Sequence, residues 1–149
     1  MAAVIRSARE SDLPALVELL AMLFAIEADF RGDAERQRRG LLAMLAEPDR
    51  RAVLVAESGG AVVGMVTAQV VVSTAEGGPS CWLEDLVVAA GWRGQGLARR
   101  LVGEIEAWAR RRGATRLQLV ADRDNAPALA CYDRLGWRRT RLVALQRAL

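Results

Sequence analysis

The run Arg93-Gly94-Gln95-Gly96-Leu97-Ala98 holds the residue types and spacing that most directly imply chemistry. A strand-like segment, Ser80 to Val88, leads into these glycines and an amphipathic helix leads out of them. The first N–H groups of such a helix have no carbonyl partner within it. They converge with the positive end of the helix dipole and form a site for an anion. Gly94 and Gly96 put no Cβ in the way, so a phosphate can approach the backbone closely. Arg93 adds a cation at the rim. The helix that follows places Leu97, Leu101, Ile105 and Trp108 on one face, as a helix anchored against a core requires.

Two familiar phosphate motifs are excluded. The P-loop needs a lysine, and all 21 basic residues of this chain are arginines. The dinucleotide fingerprint needs a small third residue where Arg99 stands, within a repeated βαβ unit that is missing. The string Arg93-Gly94-Gln95-Gly96-Leu97-Ala98, preceded by Glu84-Asp85-Leu86-Val87-Val88, instead resembles the acetyl-CoA-binding core of the GNAT acetyltransferase superfamily. Its signature Q/R-x-x-G-x-G/A is filled by Arg93, Gly96 and Ala98. About thirty residues on, Asn125-Ala126-Pro127-Ala128-Leu129-Ala130-Cys131-Tyr132-Asp133-Arg134-Leu135-Gly136-Trp137 resembles the second block of that family: an asparagine, a tyrosine seven residues later, and a closing Gly-aromatic pair.

The resemblance implies an α+β fold, a GNAT-type mixed and mostly antiparallel sheet flanked by about four helices. It implies a splay between the fourth and fifth strands, where CoA lies. The cosubstrate is then acetyl-CoA, with no metal, and the reaction is direct transfer of an acetyl group to a primary amine of a small molecule or a protein. The pyrophosphate falls to Arg93, Gly94, Gln95, Gly96, Leu97 and Ala98, and the pantetheine arm to Leu86, Val87, Val88 and Asn125. Such an amine is mostly protonated in neutral water, with a pKa of roughly 10. The site therefore needs a proton acceptor, donors for the developing oxyanion, and an acid for the leaving thiolate. Glu84 matches the position that serves as base in several members, and strand alternation sets it on the face of Trp82 and Leu86, with Asp85 on the other. The bland reading of Glu84 is a sheet-face carboxylate paired with an arginine. Tyr132, the only tyrosine, matches the family's general acid; its bland reading is half-buried packing. Glu27 and Asp29, between the first two helices, either attract a cationic amine or are solvated loop charges. Cys131, with no histidine to lower its pKa, is not expected to carry an acyl group.

The elements that must position these groups follow from the rest of the chain. Val4 to Ala8 reads as a strand, and Ser11 as the N-cap of a helix running to about Ala28, with Leu16, Leu19, Leu20 and Leu23 facing a core. A break at Gly32 and Asp33 precedes a helix over Ala34 to Leu45. Ala52 to Glu57 and Ala61 to Ser73 flank the hairpin turn Gly59-Gly60. Ser80 to Val88 is the next strand, Gly113 ends the central helix, and Arg116 to Ala121 is a further strand. Asp124 or Asn125 caps a last helix, Ala126 to Leu135. The thirteen residues from Trp137 to Leu149 leave room for one long strand or two short ones where the family has two full strands. The acceptor side is then open or completed by a second subunit, and an unpaired edge favours a homodimer.

Composition fits one domain over residues 1–149, with 52% hydrophobic and 26% charged residues. The formal charge of +3 is mild, and at 5% aromatic the chain lacks the basic, aromatic-rich face of a nucleic-acid binder. It has no histidine, which removes Ser-His-Asp sites and most zinc sites. Cys81 and Cys131 form no ligand cluster and read as free thiols in a reducing compartment. With no signal peptide and no long apolar run, a cytoplasmic protein without membrane contact is expected. Beside the enzyme stand two other readings: a degenerate acyl-CoA-binding sensor or regulatory module, and an interaction domain using the first helix and a sheet edge.

Overall fold

The computed structural model describes residues 2–27 and 32–149. Asp29 lies outside the described residues. By its contacts the chain divides into two compact units, Met1–Leu119 and Val120–Leu149.

The first unit is built on a five-stranded sheet of order β1-β2-β3-β4-β5. Its strands are β1 (Val4–Ser7), β2 (Arg51–Ser58), β3 (Ala61–Ser73), β4 (Gly78–Val88) and β5 (Leu117–Gln118). The first four are joined antiparallel and β5 lies parallel to β4. Gly59 and Gly60, at φ of 57° and 80°, form the hairpin turn between β2 and β3. Helices α1 (Leu13–Ile26) and α2 (Ala34–Leu45) cover one face of this sheet and α3 (Leu97–Arg111) the other. On the first face Leu13, Leu16, Leu19, Leu20 and Leu41 pack on Val53, Val55, Met65 and Val87. On the second, α3 buries Leu97, Leu101, Val102, Ile105, Trp108 and Ala109, the expected stripe and its flanks. Gly64 of β3 lets Leu101 come close: a Cβ there would lie 3.4 Å from Leu101 Cδ1 and 3.3 Å from the Val87 carbonyl oxygen.

Helix ends follow local chemistry. Asp33 caps α2, accepting from the Arg36 N–H at 3.1 Å. α3 closes in a Schellman motif, with Gly113 at φ 77°, Gly113 N–H donating to Arg110 and Ala114 N–H to Ala109. Arg112 stacks on Trp108 at 4.1 Å and donates to the Asp49 carbonyl at 2.7 Å. Ser11 is not the cap of α1. It lies in a 3-10 turn, Glu10–Asp12, whose Asp12 is turned inward. Asp12 accepts from the Arg6 guanidinium at 2.8 and 2.9 Å and from the Arg9 N–H at 2.7 Å. These bonds to Arg6 hold its carboxyl below the usual carboxylate range.

The second unit contains α4 (Ala126–Arg134), whose residues are all at least partly exposed. Two expectations fail near the C-terminus. The strand over Arg116 to Ala121 shrinks to two residues, since the β4–β5 ladder contains only Cys81–Leu117 and Trp82–Gln118. Residues 137–149 form no strand. Among the described residues no helix is long and apolar enough to cross a membrane.

Candidate acyl-transfer site

The glycine turn leaves a run of main-chain donors open at the start of α3. A short 3-10 turn, Ala90–Trp92, follows β4, and the chain then passes through Gly94 at φ 73° and Gly96 at φ 77° before α3 starts at Leu97. Positive φ at both positions is the reason for glycine, since nothing lies within 4 Å of where either Cβ would be. Among the described residues, the main-chain N–H groups of residues 94–99 donate to no protein acceptor; the first helical bond is from Arg100 to the Gly96 carbonyl at 3.1 Å. Gly96 also supplies no side-chain cap. The turn is solvent-exposed from Arg93 to Gly96, so these donors are open to a ligand. Arg93 Nε donates to the Val88 carbonyl at 3.1 Å and Gln95 Nε2 to the Gly91 carbonyl at 3.1 Å, tying both side chains back onto the loop. The expected phosphate residues are thus brought together, with Arg93 as an anchored cation.

Directly upstream, β4 is not a regular strand. Thr67 of β3 pairs with Glu84 and Met65 with Val87, so Val66 alone faces two residues, Asp85 and Leu86. This is a β-bulge with Asp85 in the left-handed region at φ 52°, the one such non-glycine among the described residues. The bulge reverses the alternation. Trp82 and Glu84 share the face of Thr67, as expected. Leu86, beyond the extra residue, is shifted by register to the face of Gly64, and Asp85 does not point away from Glu84. Thr67 Oγ1 donates to Asp85 Oδ2 at 2.8 Å, which brings the Asp85 carboxylate to the Glu84 side of the sheet. Beyond Trp82 the outer edge of β4 has no ladder partner among the described residues, so the pairing of the fourth and fifth strands stops short of Leu86, Val87 and Val88.

Electrostatics separates Glu84 from the other carboxylates. It reaches solvent, and no arginine pairs with it among the described residues. Partial burial, then the adjacent charge of Asp85, pushes its carboxyl above the ordinary glutamate range. Burial also raises Asp85, opposed by the Thr67 hydrogen bond. A carboxylate with raised proton affinity and no cationic partner among the described residues is a better proton acceptor than an ordinary surface glutamate. Cys81, buried in β4, has its thiol pushed up by burial and is poorly placed to act as a nucleophile.

In the second unit Asn125 and Tyr132 stand on one helix. Asn125 Oδ1 accepts from the Ala128 N–H at 3.2 Å, so Asn125 and not Asp124 caps α4, and its NH2 group is left as a donor. Tyr132 is half-buried and packs edge-on against Trp137, with ring centroids 5.8 Å apart. Glu27 follows α1 and is half-buried. Thr67 and Asp85 were missed by sequence reasoning. The string LEDL reads as plain alternation, and the tolerance of aspartate for the left-handed region is the one hint it carries.

Comparison with known proteins agrees with this architecture. Rat N-acetyltransferase family 8 member 2 is 38% identical over 86 residues, 58% of this chain but 38% of that protein, so the chain spans well under half of that relative. An aminoglycoside N(6')-acetyltransferase type 1 from Serratia marcescens is 28% identical over 119 residues, covering 78% of this chain and 82% of that one. Among solved structures, an aminoglycoside N-acetyltransferase in complex with CoA superposes with a TM-score of 0.83 at 19% identity, covering 98% of this chain and 94% of the other. A likeness at that identity shows the fold. The sequence profile of the acetyltransferase (GNAT) family matches residues 13–137, which takes in the glycine turn, the bulged strand and the Asn125 block, and the chain belongs to that family.

Proposed function

We propose that the protein is an acetyl-CoA-dependent N-acetyltransferase that passes an acetyl group to a primary amine by direct attack in a ternary complex. The observation that carries this reading is the run of amides at residues 94–99, uncommitted among the described residues, set just after a strand bearing Glu84 with raised proton affinity and no ion pair among those residues. Acetyl-CoA supplies the activated acyl thioester. The amides of Gly94, Gln95, Gly96, Leu97 and Ala98, with Arg93, hold its pyrophosphate. Leu86, Val87 and Val88 supply backbone along the pantetheine arm, and the Asn125 amide supplies a further donor. Glu84 removes the proton from the incoming ammonium, directly or through water. A backbone N–H near Leu86 steadies the developing oxyanion, and the Tyr132 phenol protonates the departing thiolate; the role of Tyr132 rests on the family pattern of its block. No metal enters this scheme.

The acceptor is a small amine or a protein amine, and the aminoglycoside enzymes among the relatives make a polycationic small molecule the first class to try. Its two free cysteines suit a reducing, cytoplasmic setting. The reading includes a homodimer, since Leu142, Val143 and Leu145 expose apolar side chains close together in the chain; sedimentation velocity tests that point.

The deciding experiment measures acetyl-CoA binding by thermal shift, then thiol release with polyamines, aminoglycosides, amino acids and peptide N-termini. Glu84→Gln is expected to lower turnover at neutral pH by roughly 10²–10⁴-fold with CoA affinity kept. Because Glu84 acts in its ionised form and its proton affinity is raised, wild-type kcat/KM falls as pH drops through a value above the usual glutamate range. Binding without thiol release from any amine would support a sensor instead, and absence of binding would end the proposal.

A further inference from the structure

The bulge carries two locally unfavourable features at one residue. Asp85 holds a left-handed backbone conformation that glycine would adopt with less strain. Its carboxylate is mostly buried, with one neutral hydroxyl, Thr67 Oγ1, as its partner in place of a cation. A glycine would relieve both, so packing and backbone geometry do not explain the aspartate. Such concentrated cost is found where a group is needed for its chemistry.

We infer that Asp85 is a positioning residue for this site: bonded to Thr67, its carboxylate locks the backbone kink that presents Glu84 and keeps a second negative charge beside it. The geometry gives the reason. Thr67 is 1% exposed and cannot swing away, and it stands directly across the ladder from Glu84. Its hydroxyl therefore ties the extra residue of β4 to the position opposite the base. Burial raises the proton affinity of Asp85, the Thr67 hydrogen bond works against that rise, and the ionised Asp85 disfavours a second charge on Glu84. Among the described residues, Glu84 and Asp85 are the titratable groups that act on this pair, and no basic side chain contributes. Burial first and the Asp85 charge second thus make Glu84 a stronger base than an isolated surface glutamate, and Thr67 holds Asp85 in place for this. Neither is assigned contact with substrate.

The inference rests on the proposed role of Glu84, so its test uses one readout with turnover and one without. Carbon-13 NMR of carboxyl-labelled protein, with the Glu84 signal assigned by its loss in Glu84→Gln, follows titration at this residue whether or not the protein is active. Asp85→Asn keeps an acceptor for Thr67 and a residue tolerant of positive φ. It is expected to move the Glu84 midpoint to lower pH, and the acidic limb of kcat/KM with it. Thr67→Val, which removes the hydroxyl at nearly constant shape, is expected to lower kcat/KM by about tenfold, and Thr67→Ser to restore it. An unmoved Glu84 midpoint in folded Asp85→Asn overturns the inference. So does loss of turnover at every pH in that variant with CoA binding intact, which would make Asp85 itself the base. A wild-type protein without turnover, but with the midpoint shift present, sinks the enzymatic reading and leaves the Thr67–Asp85–Glu84 coupling standing.

Discussion

Helices α3 and α4 both start at turns that the sequence marks, and they treat their first amides in opposite ways. α3 spans 15 residues, buries six of them, and begins at a glycine that offers no side-chain cap. α4 spans 9 residues, buries none, and has its first turn closed by Asn125 and by Pro127, whose ring brings no N–H to satisfy. A missing cap forgoes about 1 kcal/mol, whereas one buried leucine is worth about 2–5 kcal/mol. The long helix is held by its packed face and can leave its N-terminus for a ligand. The short one, with little packing, spends its cap on itself.

That contrast can be broken in three places. The largest effect is expected from Leu101→Ala, which hollows the α3 face beside Gly64 and should lower unfolding free energy by about 2–5 kcal/mol in urea melts. A loss under ~1 kcal/mol would mean that packing is not what anchors α3. Next comes Gly96→Val, which forces a β-branched residue to φ 77° and sets methyl groups in the space above the amides. CoA affinity by calorimetry should fall at least about tenfold, with the far-ultraviolet helix signal retained. Unchanged affinity would remove the turn from the binding site. The smallest effect belongs to Asn125→Ala, which should cost about 1 kcal/mol, read as faster hydrogen exchange confined to α4. Exchange rising equally across the sheet would show that the cap serves more than its own helix.

Much of this was legible from residue order. The 3.6-residue stripe of α3, the glycine pair, the Gly59-Gly60 hairpin and the bounds of β3 are set by local chemistry, and the structure matches them. Ser11 misled because a serine ahead of a helix resembles a cap; the long-range pairing of Asp12 with Arg6 took over the turn. β5 and the final residues were over-read, since composition says what could be a strand, whereas the ladder bonds actually made decide what becomes one. Of the candidate site, the amides and Glu84 were visible. Thr67 and Asp85 were not, because a bulge is a disagreement between two strands and neither sequence shows it alone. The fold-level resemblance extended further than any single segment could, as two separated blocks limit the choice more than one.

The extra residue in β4 has a consequence for how this chain can drift. Leu83 on one side of it serves the α3 layer and Val87 on the other serves the α1 layer, so one ribbon stitches both cores. Deleting Asp85 would straighten the ladder, with Val66 opposite Leu86 and Met65 still opposite Val87, so both cores keep their residues and the kink beside Glu84 is what goes. A loss of one residue here is therefore compatible with the sheet but takes away the Asp85 carboxylate, so drift in length at this point would show in the chemistry before it showed in the fold.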